Sequence, residues 1–277
     1  MKRISVSVII PSYNSTDTIE RAVSSVSRQT ILPKEIIIID DCSTDERIED
    51  VMKSLEQKYN SYFDIKIIKN TKNQGPGVSR NIGWNSSKED YIAFLDSDDA
   101  WHERKIELQY EYMISNPDVD FSCHENIVVL DETACYKEEV SQVEIMKEEC
   151  ITFRQLLFKN TIATRTVMLK REIGNKFQEG KYHSEDYLLW LEIASSDYKM
   201  IKLNAPLSKC FNHPFLGDGL SGNLLKMFKG ELDSYRRLIE TKKIDRKGYI
   251  LVVGYSTIRF IRRLYFSMIF KKKRSNF

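Results

Sequence analysis

The chain has 277 residues, 42% of them hydrophobic and 30% charged, with a formal net charge of +2. That length and balance suit one large α/β domain, or one domain with an appendage, and no segment is repetitive or of low complexity. Five cysteines, odd in number and without a C-x-x-C pair, argue against a disulfide framework or a zinc site and for a reducing compartment.

The opening run, MKRISVSVIIP, is basic and then apolar, but it is short and no small-residue cleavage site follows, so it reads as a first strand rather than a signal peptide. Residues 4–10 are rich in β-branched side chains. Residues 15–29 then place Ile19, Ala22, Val23 and Val26 at helical spacing. A continuous apolar run at 35–40 predicts a buried strand. The helix predicted for 43–57 has Ser43 and Glu46 as a capping box and Ile48, Val51, Met52 and Leu55 on one face. A third strand is expected at 64–69. The loop NQGPG (73–77) leads into a helix-like stretch, and a fourth strand follows at 91–95. Strand and helix alternating in this way imply a doubly wound, mostly parallel sheet.

The second half is more mixed. Short strands are expected at 119–123, 126–130, 165–169 and 199–203, and helices at 151–159 and 185–195; from 226 the pattern is helical to the end. After Asp245 the sequence has nine basic residues and no acid, which suggests an anionic surface as partner. In the segment 248–274 the longest uncharged run, Tyr249–Ile258, is too short to cross a bilayer core needing ~20 apolar residues. As a helix it puts Arg259, Arg262 and Arg263 on one face. Val253, Thr257, Ile261, Leu264 and Met268 fall on another, with Tyr255, Phe260, Tyr265 and Phe266 between and Lys271–Arg274 at the end. That pattern favours lying in a membrane interface; packing on the catalytic domain or on a second subunit is the alternative.

In doubly wound sheets ligands bind beyond the carboxyl ends of the strands. Pro11–Asn14, Asp40–Asp41 and the acids Asp96, Asp98 and Asp99 should therefore gather on one rim. Two carboxylates ~4 Å apart repel by ~4 kcal/mol at an effective dielectric of ~20, so something positive must sit among them. No G-x-x-x-x-G-K-[ST] is present, and Gly75, Gly77 and Gly83 do not form G-x-G-x-x-G, which excludes the common P-loop and dinucleotide motifs. A metal held by such oxygen ligands would be Mg²⁺ or Mn²⁺. Ser97-Asp98-Asp99 could instead cap a helix beginning near His102, and Glu185-Asp186 could merely start one.

Taken together and in order, VSVIIPSYN, IIIIDDCSTD, GVSRNIG, YIAFLDSDDAW and HSEDYLLWLEIA resemble the inverting nucleotide-sugar glycosyltransferases of family 2, which have the GT-A fold. The resemblance covers roughly residues 4 to 225. It implies that Pro11 and Tyr13 line a nucleobase pocket, that Asp41 accepts the base N–H, and that Arg80 lies near the nucleotide. It further implies that Asp96 faces the ribose, that Asp98 binds the metal, and that Asp99 meets the sugar or a metal-bound water. Asp186 matches the catalytic base, with Glu185 beside it as a substrate-positioning acid. His213 matches a histidine that sometimes serves as a metal or phosphate ligand. One departure stands out: the G-G-F-D-E-like turn of the family is replaced by Phe177-Gln178-Glu179, in the loop that approaches the acceptor.

The expected organisation is a GT-A catalytic domain over 1–225, with about 1–100 as its nucleotide-binding half and 101–225 as its acceptor half. A basic helical extension over 226–277 follows. The expected activity is metal-dependent, inverting transfer from a nucleotide-sugar, a UDP-sugar by resemblance, to a hydroxyl of a lipid-linked saccharide in surface polysaccharide (O-antigen or capsule) synthesis. A soluble or protein acceptor, or an inactive nucleotide-sugar-binding subunit, are the alternatives. The expected setting is cytoplasmic and peripheral to the inner membrane, with no nucleic-acid partner and with an oligomer allowed.

Overall fold

The computed structural model describes residues 2–129, 147–211 and 222–274. Its sheet has the order β3-β2-β1-β4-β8-β6-β9-β5, with β7 paired to β9. The strands are β1 (Arg3–Ser12), β2 (Leu32–Asp40), β3 (Asp64–Lys69), β4 (Tyr91–Phe94), β5 (Ala100–Trp101), β6 (Phe121–Val128), β7 (Glu148–Cys150), β8 (Met168–Lys170) and β9 (Met200–Cys210). The first four pair in parallel. β8 enters antiparallel between β4 and β6, and β6 and β9 run parallel again. This is the mostly parallel, helix-flanked sheet that the alternation of patterns implies. The two stretches expected at 119–123 and 126–130 are one strand, β6, whose register with β9 shifts at His124–Asn126. β5 and β7, of two and three residues, are too short to show a period in sequence.

Alternation along β1 and β2 builds two cores, since neighbouring strand residues face opposite sides. Val6, Val8, Ile10, Ile36 and Ile38 pack on α1 (Ile19–Ser27) and α2 (Ile48–Tyr59). Ile9, Ile37 and Ile39 face the other way, toward Trp84 of α3 (Pro76–Ser86) and α6 (Glu185–Ala194). Gly83 lets α3 approach closely: a Cβ there would lie 2.5 Å from Ile9 and 2.8 Å from Ile39. Trp84, Trp101 and Trp190 are all buried, as packing residues.

α2 begins five residues later than expected, and the Ser43–Glu46 capping box does not form. The Ser43 hydroxyl accepts instead from the Asn14 amide at 2.9 Å, so it ties the loop after β2 to the loop after β1. Nor does Ser97-Asp98-Asp99 cap the following helix, α4 (Lys105–Ser115), whose cap position is Arg104. A capping box does form at Thr152 and Gln155, opening α5 (Phe153–Phe158).

α7 (Leu224–Glu240) and α8 (Arg246–Arg274) close the second core, to which they add Tyr235, Leu238 and Val252. The arginines of α8 divide between body and solvent: Arg262 and Arg263 are exposed, whereas Arg259 is partly buried. Arg259 pairs with Glu231 at 3.3 Å and donates to the Phe158 carbonyl, while Arg263 lines the crevice between α7 and α8. Phe260 stacks on Phe228 with ring centres 4.3 Å apart. Glu231 of α7 and the Phe158 carbonyl give the Arg259 guanidinium partners, without which burying its charge would be strongly unfavourable. Met268 and Lys271–Arg274 lie outside the residues whose side chains are described.

Candidate active site

Parallel pairing of β1 with β2 and β4 brings three chain reversals to one rim. Ser12 stands opposite Asp40, and the Asp41 amide donates to the Ser12 carbonyl at 2.8 Å. Asn14 and Cys42 turn the chain there with positive φ, 50° and 63°. Beside the rim lies a cleft of about 790 Å³. Pro11, Tyr13, Asp41, Arg80, Asp96, Asp98, Asp99, Glu185 and Asp186 all line it. His213 lies outside the described residues. Asp40 is buried and does not line the cleft; its carboxylate accepts from the Ser43 amide at 3.1 Å.

Asp41 anchors the loop opposite. Its oxygens accept from Asn70 Nδ2 at 2.7 Å, from the Gln74 amide at 3.0 Å and from the Gly75 amide at 2.7 Å. Gly75 has φ +86°, and a Cβ there would fall 2.7 Å from the ring of Tyr182. Tyr182, half exposed, therefore forms a wall of the cleft against this turn, and Tyr13 is a second exposed ring on the lining.

The acid cluster is balanced from within the chain. Arg80, buried in α3, donates to Asp96 at 2.7 Å and to Glu185 at 3.0 Å. Arg165, in the middle of a 3-10 turn at Thr164–Thr166, donates to Asp99 at 3.0 Å and stands 3.8 Å from Asp96. Arg21 donates to the Asp98 carbonyl at 2.6 Å. The positive charge that the cluster demands thus comes in part from two guanidinium groups. Among the described residues no three His, Cys, Asp or Glu side chains form a metal-binding set. Asp98 lies on the same lining, next to Asp96 and Asp99, with which Arg80 and Arg165 pair. A Mg²⁺ or Mn²⁺ ion needs no larger protein set when diphosphate oxygens and water complete its octahedron, so the donor chemistry fits such an ion.

Glu185 and Asp186 occupy the first turn of α6. Ser184 before them has φ +55° and its hydroxyl donates to the Met227 carbonyl at 3.2 Å, which fixes where the helix starts. Burial pushes the Glu185 carboxyl up to about 7, helped by the charge of Asp186 and opposed by Arg80. Burial also raises Asp186, against the pull of Arg80 and of the Tyr187 amide, which donates to it at 2.7 Å. Asp99 is likewise pushed up to about 7 by burial, with Arg165 opposing. Adjacent carboxyls with raised pKa values in a cleft suit proton transfer.

The loop that departs from the family pattern is rigidly held. Asn81 of α3 donates to the Phe177 carbonyl at 2.7 Å and accepts from the Phe177 amide at 3.0 Å. The Phe177 ring lies 5.4 Å from the Arg80 guanidinium, and Lys181 reaches across to Asp233 of α7 at 2.8 Å. Arg165, Thr164 and Tyr182 line the cleft and were not singled out from the sequence. The available signal was Arg165 itself, a charge inside the otherwise uncharged run from Asn160 to Leu169.

The sequence matches glycosyl transferase family 2 over residues 7–169. It is 30% identical over 246 residues, 89% of this chain and 90% of the other, to the Escherichia coli UDP-Glc:alpha-D-GlcNAc-diphosphoundecaprenol beta-1,3-glucosyltransferase WfgD. It is 30% identical over 235 residues, 84% of this chain and 88% of the other, to the putative teichuronic acid biosynthesis glycosyltransferase TuaG of Bacillus subtilis. The S. aureus TarS 1-349 structure in complex with UDP-GlcNAc superposes with a TM-score of 0.66 at 18% identity, covering 91% of this chain and 70% of that one. The last likeness shows a shared GT-A fold.

Proposed function

The chain belongs to glycosyl transferase family 2 and is a glycosyltransferase, and we propose that it moves a sugar, with inversion, from a UDP-sugar to a hydroxyl of a lipid-linked saccharide during surface polysaccharide assembly, of the O-antigen or capsule kind. One observation carries this reading. The carboxylates of Glu185 and Asp186 open onto the same cleft as Asp96, Asp98 and the rim residues Tyr13 and Asp41. The relatives sharing nearly its whole length support the acceptor class, since one is named for transfer onto a diphosphoundecaprenol-linked sugar.

Tyr13 and Pro11 offer an apolar edge for a nucleobase, and Asp41 a carboxylate for its N–H. Arg80 holds Asp96 and Glu185 in fixed positions, so both carboxylates keep one geometry as a substrate arrives. Asp98 would hold a Mg²⁺ or Mn²⁺ ion, which as a Lewis acid neutralises charge growing on a leaving diphosphate. Asp186 takes the proton from the acceptor hydroxyl, and its raised pKa improves it as a base near neutral pH. Glu185 orients the acceptor from its ion pair with Arg80. A single base acting on the face away from the leaving group inverts the anomeric centre. The protein works at the membrane surface in this reading, where a lipid-linked acceptor sits.

A panel of nucleotide-sugars offered with polyprenyl-diphosphate-linked saccharides, read by mass spectrometry, tests the assignment. A product heavier by one sugar residue with a UDP-sugar supports it. Transfer only to soluble glycans or to protein would overturn the acceptor.

A further inference from the structure

α8 carries apolar residues on two faces. Val252, Ser256, Arg259 and Phe260 turn toward the body of the protein, while Ile250, Leu251, Ile258, Ile261, Tyr265 and Phe266 are exposed. Ile250 and Ile258 are each 69% exposed, more than a chance apolar surface residue needs. At 100° per residue these six fall on one broad face, which runs for about 16 residues and ~24 Å along the helix. Arg262 is the one charged residue within that span of the face.

From these facts we infer that the outer face of α8 docks in the plane of an anionic lipid bilayer, apolar side chains toward the acyl region. The charge pattern selects this occupant over a second copy of the chain. The helix begins with Arg246-Lys247, its sequence closes with Lys271-Lys272-Lys273-Arg274, and no acid occurs anywhere from 246 to 277. A parallel pair would set each basic end against its twin, and an antiparallel pair would set one basic end against the other. Both arrangements oppose like charges with no acid on the helix to relieve them. A surface of anionic headgroups instead complements both ends and Arg262 at once. A broad face with aromatics at Tyr265 and Phe266 fits insertion at the headgroup boundary. The inference deepens the reading of a lipid-linked acceptor, since it would hold the cleft beside the membrane in which such an acceptor sits.

The test is flotation of the full chain with vesicles of phosphatidylglycerol and phosphatidylcholine, and with phosphatidylcholine alone, without donor or acceptor. Light scattering of the lipid-free protein is recorded alongside. The wild type should float with the anionic vesicles, and less so at high salt or with phosphatidylcholine alone. Ile258→Glu combined with Ile261→Glu should cut vesicle binding at least tenfold while circular dichroism and UDP binding stay as in the wild type. Wild-type protein left at the bottom of the gradient, equal flotation of the double variant, or a dimer that the double variant dissolves would each overturn the inference. UDP binding measured in the same samples separates failure of docking from failure of the enzymatic reading.

Discussion

Arg80 and Glu185 are 105 positions apart in the chain, yet their side chains meet at 3.0 Å in the wall of the cleft. The pair couples the helix that follows the glycine loop to the first turn of α6, and so couples the nucleotide side of the cleft to its acid pair. It also sets the titration. Glu185 and Asp186 both have pKa values raised by burial, and Arg80 lowers both. A base works deprotonated, so activity is lost as pH falls through the raised value. The acidic limb of kcat/KM should therefore lie above the ordinary carboxylate range near ~4. Arg80→Gln should move that limb to higher pH. A wild-type limb near pH 4, or no shift in the variant, would contradict the coupling.

Arg165 makes a second prediction, about stability. Asp99 is buried, with a side chain only 2% exposed, and its folded pKa is raised to about 7. A raised folded pKa means that its favourable contribution is present at low pH and fades as pH rises through that value. Arg165 offsets the loss by pairing with the carboxylate. Through Asp99, Arg165→Met should cost little at pH 6 and up to ~2 kcal/mol at pH 8.5, since each pH unit above the folded value is worth ~1.4 kcal/mol and the variant can keep Asp99 protonated. Urea melts at the two pH values check this; equal destabilisation at both would show that Asp99 does not titrate.

Much of the site was legible because strand ends are legible. Asp41 and Asp96 follow apolar runs that fold as β2 and β4, and parallel pairing alone carries them to one rim. Arg165 was hidden because it reaches the acids only through the antiparallel insertion of β8 beside β4, a pairing between segments about 75 residues apart that no local pattern encodes. Ser43 misled for a related reason: its hydroxyl serves Asn14 from the neighbouring loop rather than its own helix. The periodicity of α8 separated its arginines from its isoleucines, but which face meets the body depends on Glu231 of α7, a tertiary fact.

Packing gives a prediction independent of any chemistry. Gly83→Ala would drive a methyl into Ile9 and Ile39 of the central strands. Overpacking of this kind costs ~1–3 kcal/mol. A lowered denaturation midpoint with an unchanged slope is expected; a variant as stable as wild type would show that α3 is not seated as described.

The metal reading is testable by calorimetry of UDP binding. Asp98 lines the cleft at the position that matches the family's metal ligand. UDP affinity should fall on adding EDTA and fall similarly in Asp98→Ala, with EDTA having no further effect on the variant. Unchanged affinity in both experiments would remove the metal from the account.

The account rests most heavily on Asp186, and one measurement reaches it directly: the rate of sugar transfer by Asp186→Asn beside its affinity for UDP. Asparagine matches aspartate in size but cannot take a proton from the acceptor hydroxyl. Transfer should fall ~10²–10⁴-fold while UDP binding is unchanged. Transfer at the wild-type rate would contradict the assignment of the base.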